Sequence, residues 1–399
     1  MPWKVKIQEG DPMCNDLTAA QLLDLVQRVF APTKNDKALA ILMDLPDDVV
    51  RDNQAWAERR KMAADWTEKL VSQQDTLGLD VNLVLYANTH MNNADLPELA
   101  WIFSGGDIPL SVDDLDRERG IAFDEIFSSH GILLAPTEFS TTAPLKLAAT
   151  RTGIRAATMP GFCPSMIPAL RLDYDEINRR VEYMTSLLSR ADKADFIFRV
   201  DESEEYKLTL DLRHRTAHAS GGLFHEPGQA GNLPSGESYI VPYEGELDGH
   251  ESGSHGLLPV ELDGEVVLYS IHANRATEVI SQGRVSSLEA EKITAEPAYG
   301  NLAELGIGVL GDFDLEPTGE ILLDEKLGLH IAFGRSDHFG GQVGTAQFSS
   351  PDAVVHIDRV YVPGIQPRVV PVWVELSMDN GDTIHLMDEG KFVVEYPDS

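Results

Sequence analysis

KALAILMDLP (residues 37–46), DNQAWAERRKMAADWTEKLVSQQ (52–74) and VNLVLYANT (81–89) decide the fold of the first half of the chain. The outer two are short apolar runs that read as buried strands, and the stretch between them reads as an amphipathic helix. Strand, helix and strand with short connections predict an open, mostly parallel sheet. The alternation continues downstream through ELAWIF (98–103) and DEIFSSHGILLAP (124–136). A long helix is expected over LDYDEINRRVEYMTSLLSRAD (172–192), whose opening acids suit the positive end of a helix dipole.

Beyond about residue 195 the texture changes. DFIFRVD (195–201) and YKLTLDLRHRTAH (206–218) look like strands, and so do EVVLYSIHA, AVVHIDRVYV, RVVPVWVELSM and KFVVEYP further on. Of the 32 glycines, 24 lie after residue 195, and so do ten of the 12 histidines. The expected organisation is an α/β domain over 1–195 and a β-rich (α+β) C-terminal domain over 196–399 that carries the chemistry. No repeat, heptad array or low-complexity tract interrupts either part.

Composition removes several classes of function. The chain has 399 residues, 32 Lys+Arg against 65 Asp+Glu, and a formal net charge of −33. A nucleic-acid partner needs clustered cations, and an anionic membrane surface does too, so neither is expected. With 43% apolar residues there is material for a full core. Two cysteines, Cys14 and Cys163, allow neither a disulfide framework nor a cysteine zinc knuckle. The start, MPWKVKIQEGDPM, holds no apolar run of a secretory signal, and no stretch nears the ~18 apolar residues of a membrane span. A soluble, cytoplasmic protein is expected.

Gly306-Ile-Gly308-Val-Leu-Gly311 spells a dinucleotide fingerprint. The DFDLEPTGE that follows is no helix, so no helix N-terminus is offered to a pyrophosphate. His214 and His218 share one face if HRTAH is a strand, but the segment lacks the Glu of a zincin helix. No Gly-x-Ser-x-Gly elbow supports a serine hydrolase.

Four other segments hold residues suited to a metal: GNLPSGESY (231–239), NLAELGIG (301–308), GLHIAFG (328–334) and VVHIDRV (354–360). His356 and Asp358 are two apart in a β-branched run and so point to one face, with Val355 and Ile357 turned toward a core. A His and a carboxylate fixed side by side suit a divalent cation. Glu304 sits in an apolar segment where an unpaired carboxylate is costly to bury. His330 heads another apolar stretch, and Glu237 follows a Pro-Ser-Gly turn able to deliver it to a site. Each residue alone has a plainer reading: a strand His is usually a hydrogen-bonded core residue, and Glu304 pairs as easily with Arg359 or Lys326.

The wording of the four segments, however, resembles the aminopeptidase T / aminopeptidase S family of dinuclear metallopeptidases. GNLPSGESYIVPYEGELDG is similar to its NLP signature, NLAELGIG to its AELG segment, LLDEKLGLHIAFG to its acidic-DEK and His segment, and VVHIDRVYVP to its H-x-D strand. The motifs occur in order over roughly residues 205–365, while the N-terminal half resembles the family only in general texture. The resemblance implies a metalloaminopeptidase holding two divalent cations (Zn, Co or Mn) on Glu237, Glu304, His330, His356 and Asp358. It implies hydrolysis of N-terminal residues from short peptides through a dinuclear metal-bound hydroxide, by a homodimer. One feature departs. The family carries a Tyr shortly after the His of its H-[IL]-A-[FL]-G motif, whereas HIAFGRSDHFGG offers Asp337 and His338 instead, either able to bind a cation. Glu325, five residues before His330, is a candidate proton carrier, with an exposed turn acid as its plain alternative.

Two other functions stand against this one. A mononuclear non-haem iron dioxygenase that cleaves dihydroxypyridine rings resembles the same family, but loses the NLP-type Glu and replaces the AELG Glu by His. This chain retains Glu237 and Glu304. A non-peptidase metallohydrolase, or a metal-free descendant that binds peptides or a partner, is the remaining alternative.

Overall fold

The computed structural model describes residues 16–397, so the MPWKVKIQEGDPM start and Cys14 lie outside the described residues. The described residues form two compact units, one made of residues 16–175 and 222–235, the other of 176–221 and 236–397.

In the first unit α1 (Ala19–Phe30) starts at Thr18, which forms a reciprocal capping box with Gln21. β1 (Ala38–Leu45) is buried at every position, the pattern of a central parallel strand. α2 (Gln54–Val71) begins where the Asn53 side chain accepts from the Trp56 amide, and it packs on β1 and its neighbour. A single turn, α3 (Gln74–Leu77), precedes β2 (Asp80–Ala87), β3 (Leu99–Ile102), β4 (Ile121–Ala122) and α4 (Phe123–Ser129). β5 (Ile132–Ala135), α5 (Thr142–Thr152), β6 (Arg155–Thr158) and a short α6 (Ile167–Leu170) complete this run. Ala40, Leu42, Val84 and Leu133 of the strands form one core with Ile126 of α4 and Leu145 of α5.

The second unit takes up α7 (Tyr174–Leu188), β7 (Ala191–Val200), β8 (Glu204–Asp211) and β9 (His218–Ser220). The chain then returns to the first unit as β10 (Ala230–Asn232), which pairs parallel to β6. The first sheet therefore reads β10-β6-β5-β1-β2-β3-β4, parallel except at β3 and β4. This is the open, mostly parallel sheet expected of an α/β unit. The expected boundary at 195–196 falls inside β7, however; the change of unit occurs at Asp175–Glu176, within the run expected to be one helix.

The rest of the chain belongs to the second unit: β11 (Glu237–Ile240), β12 (His255–Leu262), β13 (Glu265–His272), β14 (Arg275–Val279), α8 (Arg284–Ala295) and β15 (Leu302–Gly308). After a turn of helix, α9 (Ile321–Asp324), come β16 (Leu329–Gly334), β17 (His356–Tyr361), β18 (Val369–Met378), β19 (Thr383–Asp388) and β20 (Lys391–Phe392). An eight-stranded antiparallel sheet, β14-β13-β12-β8-β7-β18-β19-β20, and a five-stranded one, β17-β16-β15-β11-β9, share a core. Phe196, Phe198, Leu208 and Leu376 enter it from the larger sheet, and Leu305, Ile307, Ile331 and Phe333 from the smaller. α7 adds Met184, Leu187 and Leu188. No helix among the described residues is long and apolar enough to cross a membrane.

Candidate metal centre

Strand alternation sends Leu305, Ile307, Leu329, Ile331 and Phe333 into the core, so the residues between them face the other side of the smaller sheet. A register shift between Leu302 and Glu304 keeps Leu302 in the core while turning Glu304 outward. Opposed residues share a face: Glu237 with Gly308, Tyr239 with Gly306, Gly306 with His330, and Ala332 with both Glu304 and Asp358. His356 pairs with Gly334 two residues away on the same face. Four adjacent strands, β17, β16, β15 and β11, thus collect Glu237, Glu304, His330, His356 and Asp358 on one surface. Val355 and Ile357, expected in a core, are only half-buried.

The ligand atoms fall into two groups that share one residue. Glu237, Glu304 and His330 form the first, and Glu304, His356 and Asp358 the second, each within 4.8 Å of one another. Glu304 divides its oxygens between them: Oε1 is 3.3 Å from His330 Nε2, and Oε2 is 3.3 Å from His356 Nε2. Both imidazoles turn Nδ1 to a backbone carbonyl, His356 to Arg335 at 2.8 Å and His330 to Gly328 at 3.4 Å. That arrangement holds Nε2 toward the carboxylates, as in metal-binding histidines oriented by an outer partner. Glu237 Oε2 is buried with no hydrogen-bond partner, 3.6 Å from His330 Nε2. A buried carboxylate oxygen without a donor, facing imidazole nitrogens, is a position a cation completes. The donor set, carboxylate and imidazole without thiolate, suits a divalent metal cation.

Electrostatics bind the cluster together. Burial raises the Glu304 carboxyl, but hydrogen bonds and charge from His330 and His356 outweigh it and hold the group well below the usual carboxylate range. Burial likewise lowers His330, and Glu304, Asp358 and Glu237 reverse that, bringing it to about 9. His356 is raised in the same way by Asp358 and Glu304, while Asp358, pushed up by burial, is carried below its ordinary value by His356.

The glycine-rich stretch that spells a nucleotide fingerprint serves this site. A Cβ on Gly306 would lie 1.8 Å from His330 Nε2, so the imidazole lies across that strand only because Gly306 has no side chain. At Gly308 a Cβ would lie 2.3 Å from the Lys326 carbonyl carbon. Both glycines sit in β15, and turns rather than a helix directly follow them.

Other expected residues take different places. Asp337 forms an ion pair with Arg335 at 2.6 Å and joins neither ligand group. His338 also joins neither; its ring packs edge-on against that of His356, with centroids 5.3 Å apart. Burial, then His356 and Arg335, lower His338 to about 4. HRTAH is not a strand: His214 sits in a turn at φ 63 and only His218 enters β9. Glu304 pairs with neither Arg359 nor Lys326, and Arg359 instead donates to the Tyr299 hydroxyl.

Glu325 is no exposed turn acid: its side chain is 13% exposed, and it ion-pairs with Lys326. Burial pushes it to about 8 against the pull of Lys326, and Glu237 and Asp358 add to the rise. Tyr239 escaped the sequence reading, and Lys326 was read there only as a partner for Glu304. Lys326 is completely buried, with Nζ 2.5 Å from Glu237 Oε1. Tyr239 lies two residues beyond Glu237 on the same strand face, stacked on His218 and packed against Phe339. Paired with Gly306, which in turn pairs with His330, it lies on the cluster's face of the sheet, so a tyrosine does face the cluster, from another strand than the motif suggests, and its phenol is raised by burial and by Glu304, Glu237 and Glu325. The period-two rule applied from Glu237 points to it.

No protein-family model and no curated protein matches the chain. Solved structures with a similar fold include the 2,5-dihydroxypyridine dioxygenase from Pseudomonas putida KT2440, at TM-score 0.59 and 14% identity over 95% of this chain and 99% of that one. They also include wild-type AmpT from Thermus thermophilus, at TM-score 0.55 and 15% identity over 94% and 99%. At these identities the likeness is one of fold.

Proposed function

We propose that the chain is a metal-dependent aminopeptidase that removes N-terminal residues from short peptides. The observation that carries this reading is Glu304, whose two oxygens belong to two separate ligand groups. A carboxylate used in this way suits two cations side by side rather than one. Glu237 and His330 would complete one position, and His356 and Asp358 the other. Such a pair, when bound, polarises a carbonyl and activates water. Glu325, buried beside Lys326 and Glu237, is the carboxyl to which we assign passage of a proton to the leaving amine. Lys326, itself completely buried, keeps that carboxyl and Glu237 together. The cation identity we propose is Zn, Co or Mn, and the working form a homodimer.

The likeness to the dioxygenase supports a second reading, in which one iron is held by the Glu304, His356 and Asp358 group alone. The buried Glu237 Oε2, which accepts no hydrogen bond, favours the first, because a single-iron site has no use for it. Metal analysis and dipeptide hydrolysis on purified protein distinguish the two. About two Zn, Co or Mn per chain with hydrolysis supports the peptidase. One iron with no hydrolysis of any peptide overturns it in favour of the oxygenase, and two cations without peptide hydrolysis point to a different metallohydrolase.

A further inference from the structure

The two ligand groups are chemically unequal, and the difference is Lys326. Its ammonium is completely buried, 2.5 Å from Glu237 Oε1, and also ion-paired to Glu325. Glu237 therefore already shares its charge with a cation, and only Oε2 is left facing His330. The other group carries no such counter-charge. Among the described residues no lysine or arginine forms an ion pair with Glu304 or Asp358, whose partners are the two imidazoles. Access differs in the same sense. His356 and Asp358 keep 21% and 11% of their side-chain surface, whereas His330 keeps none. A dication near an ammonium in a poorly solvated pocket is repelled strongly, because little water screens the pair.

Resting on the reading of a two-cation centre, we propose that Lys326 makes its two positions unequal. The Glu304–His356–Asp358 position fills first, and the Glu237–Glu304–His330 position binds its cation at least tenfold more weakly. Lys326 acts here through Glu237 and is a positioning residue. Its backbone is fixed independently of its charge, since the Leu310 amide donates to the Lys326 carbonyl at 2.8 Å.

The test is calorimetric titration of the metal-free, full-length protein with Mn²⁺. Two binding events separated by tenfold or more are expected. Glu237→Gln should remove only the weaker event and Asp358→Asn the tighter one. Lys326→Met and Lys326→Gln both remove the charge, the second keeping a hydrogen-bond donor to Glu237. Each should bring the two affinities within about threefold at an unchanged circular dichroism spectrum. Equal affinities in the unmodified protein, loss of the tight event in Glu237→Gln, or an unchanged ratio in folded Lys326 variants overturns the proposal alone. If the Lys326 variants do not fold, the Glu237 and Asp358 titrations still decide the order of filling. Absence of Mn²⁺ binding, or a single event indifferent to Glu237→Gln, overturns the two-cation reading itself.

Discussion

Gly306→Ala is the sharpest single-methyl test of the site. The added Cβ would stand 1.8 Å from His330 Nε2, 2.2 Å from Cε1 and 2.5 Å from Cδ2. Ordinary carbon contacts begin near 3.5 Å, so the imidazole must retreat by about 1.7 Å. It has nowhere easy to go, being wholly buried between Glu304 and the Gly328 carbonyl. Overpacking of this kind costs roughly 1–3 kcal/mol, or about 2–12 °C in the thermal midpoint of a unit this size. A reacting or binding group displaced by more than 1 Å forfeits roughly 100-fold in rate. The assay is a double-mutant cycle in denaturant with His330→Ala, alongside metal content and dipeptide turnover. If the clash is real, Gly306→Ala destabilises the wild-type background and is nearly neutral once His330 is an alanine. Additive losses across the cycle, or full metal content and turnover in Gly306→Ala alone, refute the account of why this strand carries a glycine.

Glu304→Gln should lower metal occupancy of both positions and abolish hydrolysis, while leaving the metal-free fold within about 1–2 kcal/mol because the amide keeps the volume; elemental analysis and denaturant unfolding of the metal-free form check this. His330 is raised above its ordinary 6.5 to about 9, so the stability it lends the metal-free protein is complete below pH 6.5 and is lost as pH climbs through 9. Glu304, held low, contributes above its ordinary value and loses that contribution in acid. Thermal midpoints of the metal-free protein should therefore fall on the alkaline side, and added Mn²⁺ should abolish the fall because a cation replaces the proton on Nε2. A flat alkaline profile without metal would contradict the charged imidazole.

Much of the site could be read in the chain because strands have a local rule. His356 and Asp358 share a face for no reason but their spacing, and the structure keeps them there. Glu304 looked costly in an apolar segment, and it is: two imidazoles offset its burial. What escaped depends on distant partners. Lys326 sits in LLDEKLG, a sequence indistinguishable from a solvated turn until β15 and β11 close over it. Glu325 followed it inward for the same reason. Gly306 and Gly308 spell a phosphate loop but answer to an imidazole and a carbonyl from neighbouring segments. The division of the chain was misplaced because composition changes where the β-rich strands begin, whereas the unit changes earlier, inside α7. No local pattern announces that Ala230–Asn232 pairs with β6.

That returning strand has a consequence for biogenesis. During synthesis the parallel sheet lacks its edge until residue 232 has emerged, by which time α7 and β7 to β9, all destined for the other unit, have already been made. The nascent first unit must therefore wait with β6 open, a bare edge of the kind that templates aggregation. Neither unit can be inherited, exchanged by recombination or cut free by a single protease nick as a finished module. A fragment ending at residue 175 would be born with the exposed edge, and one beginning at 176 would carry a strand with no sheet to join.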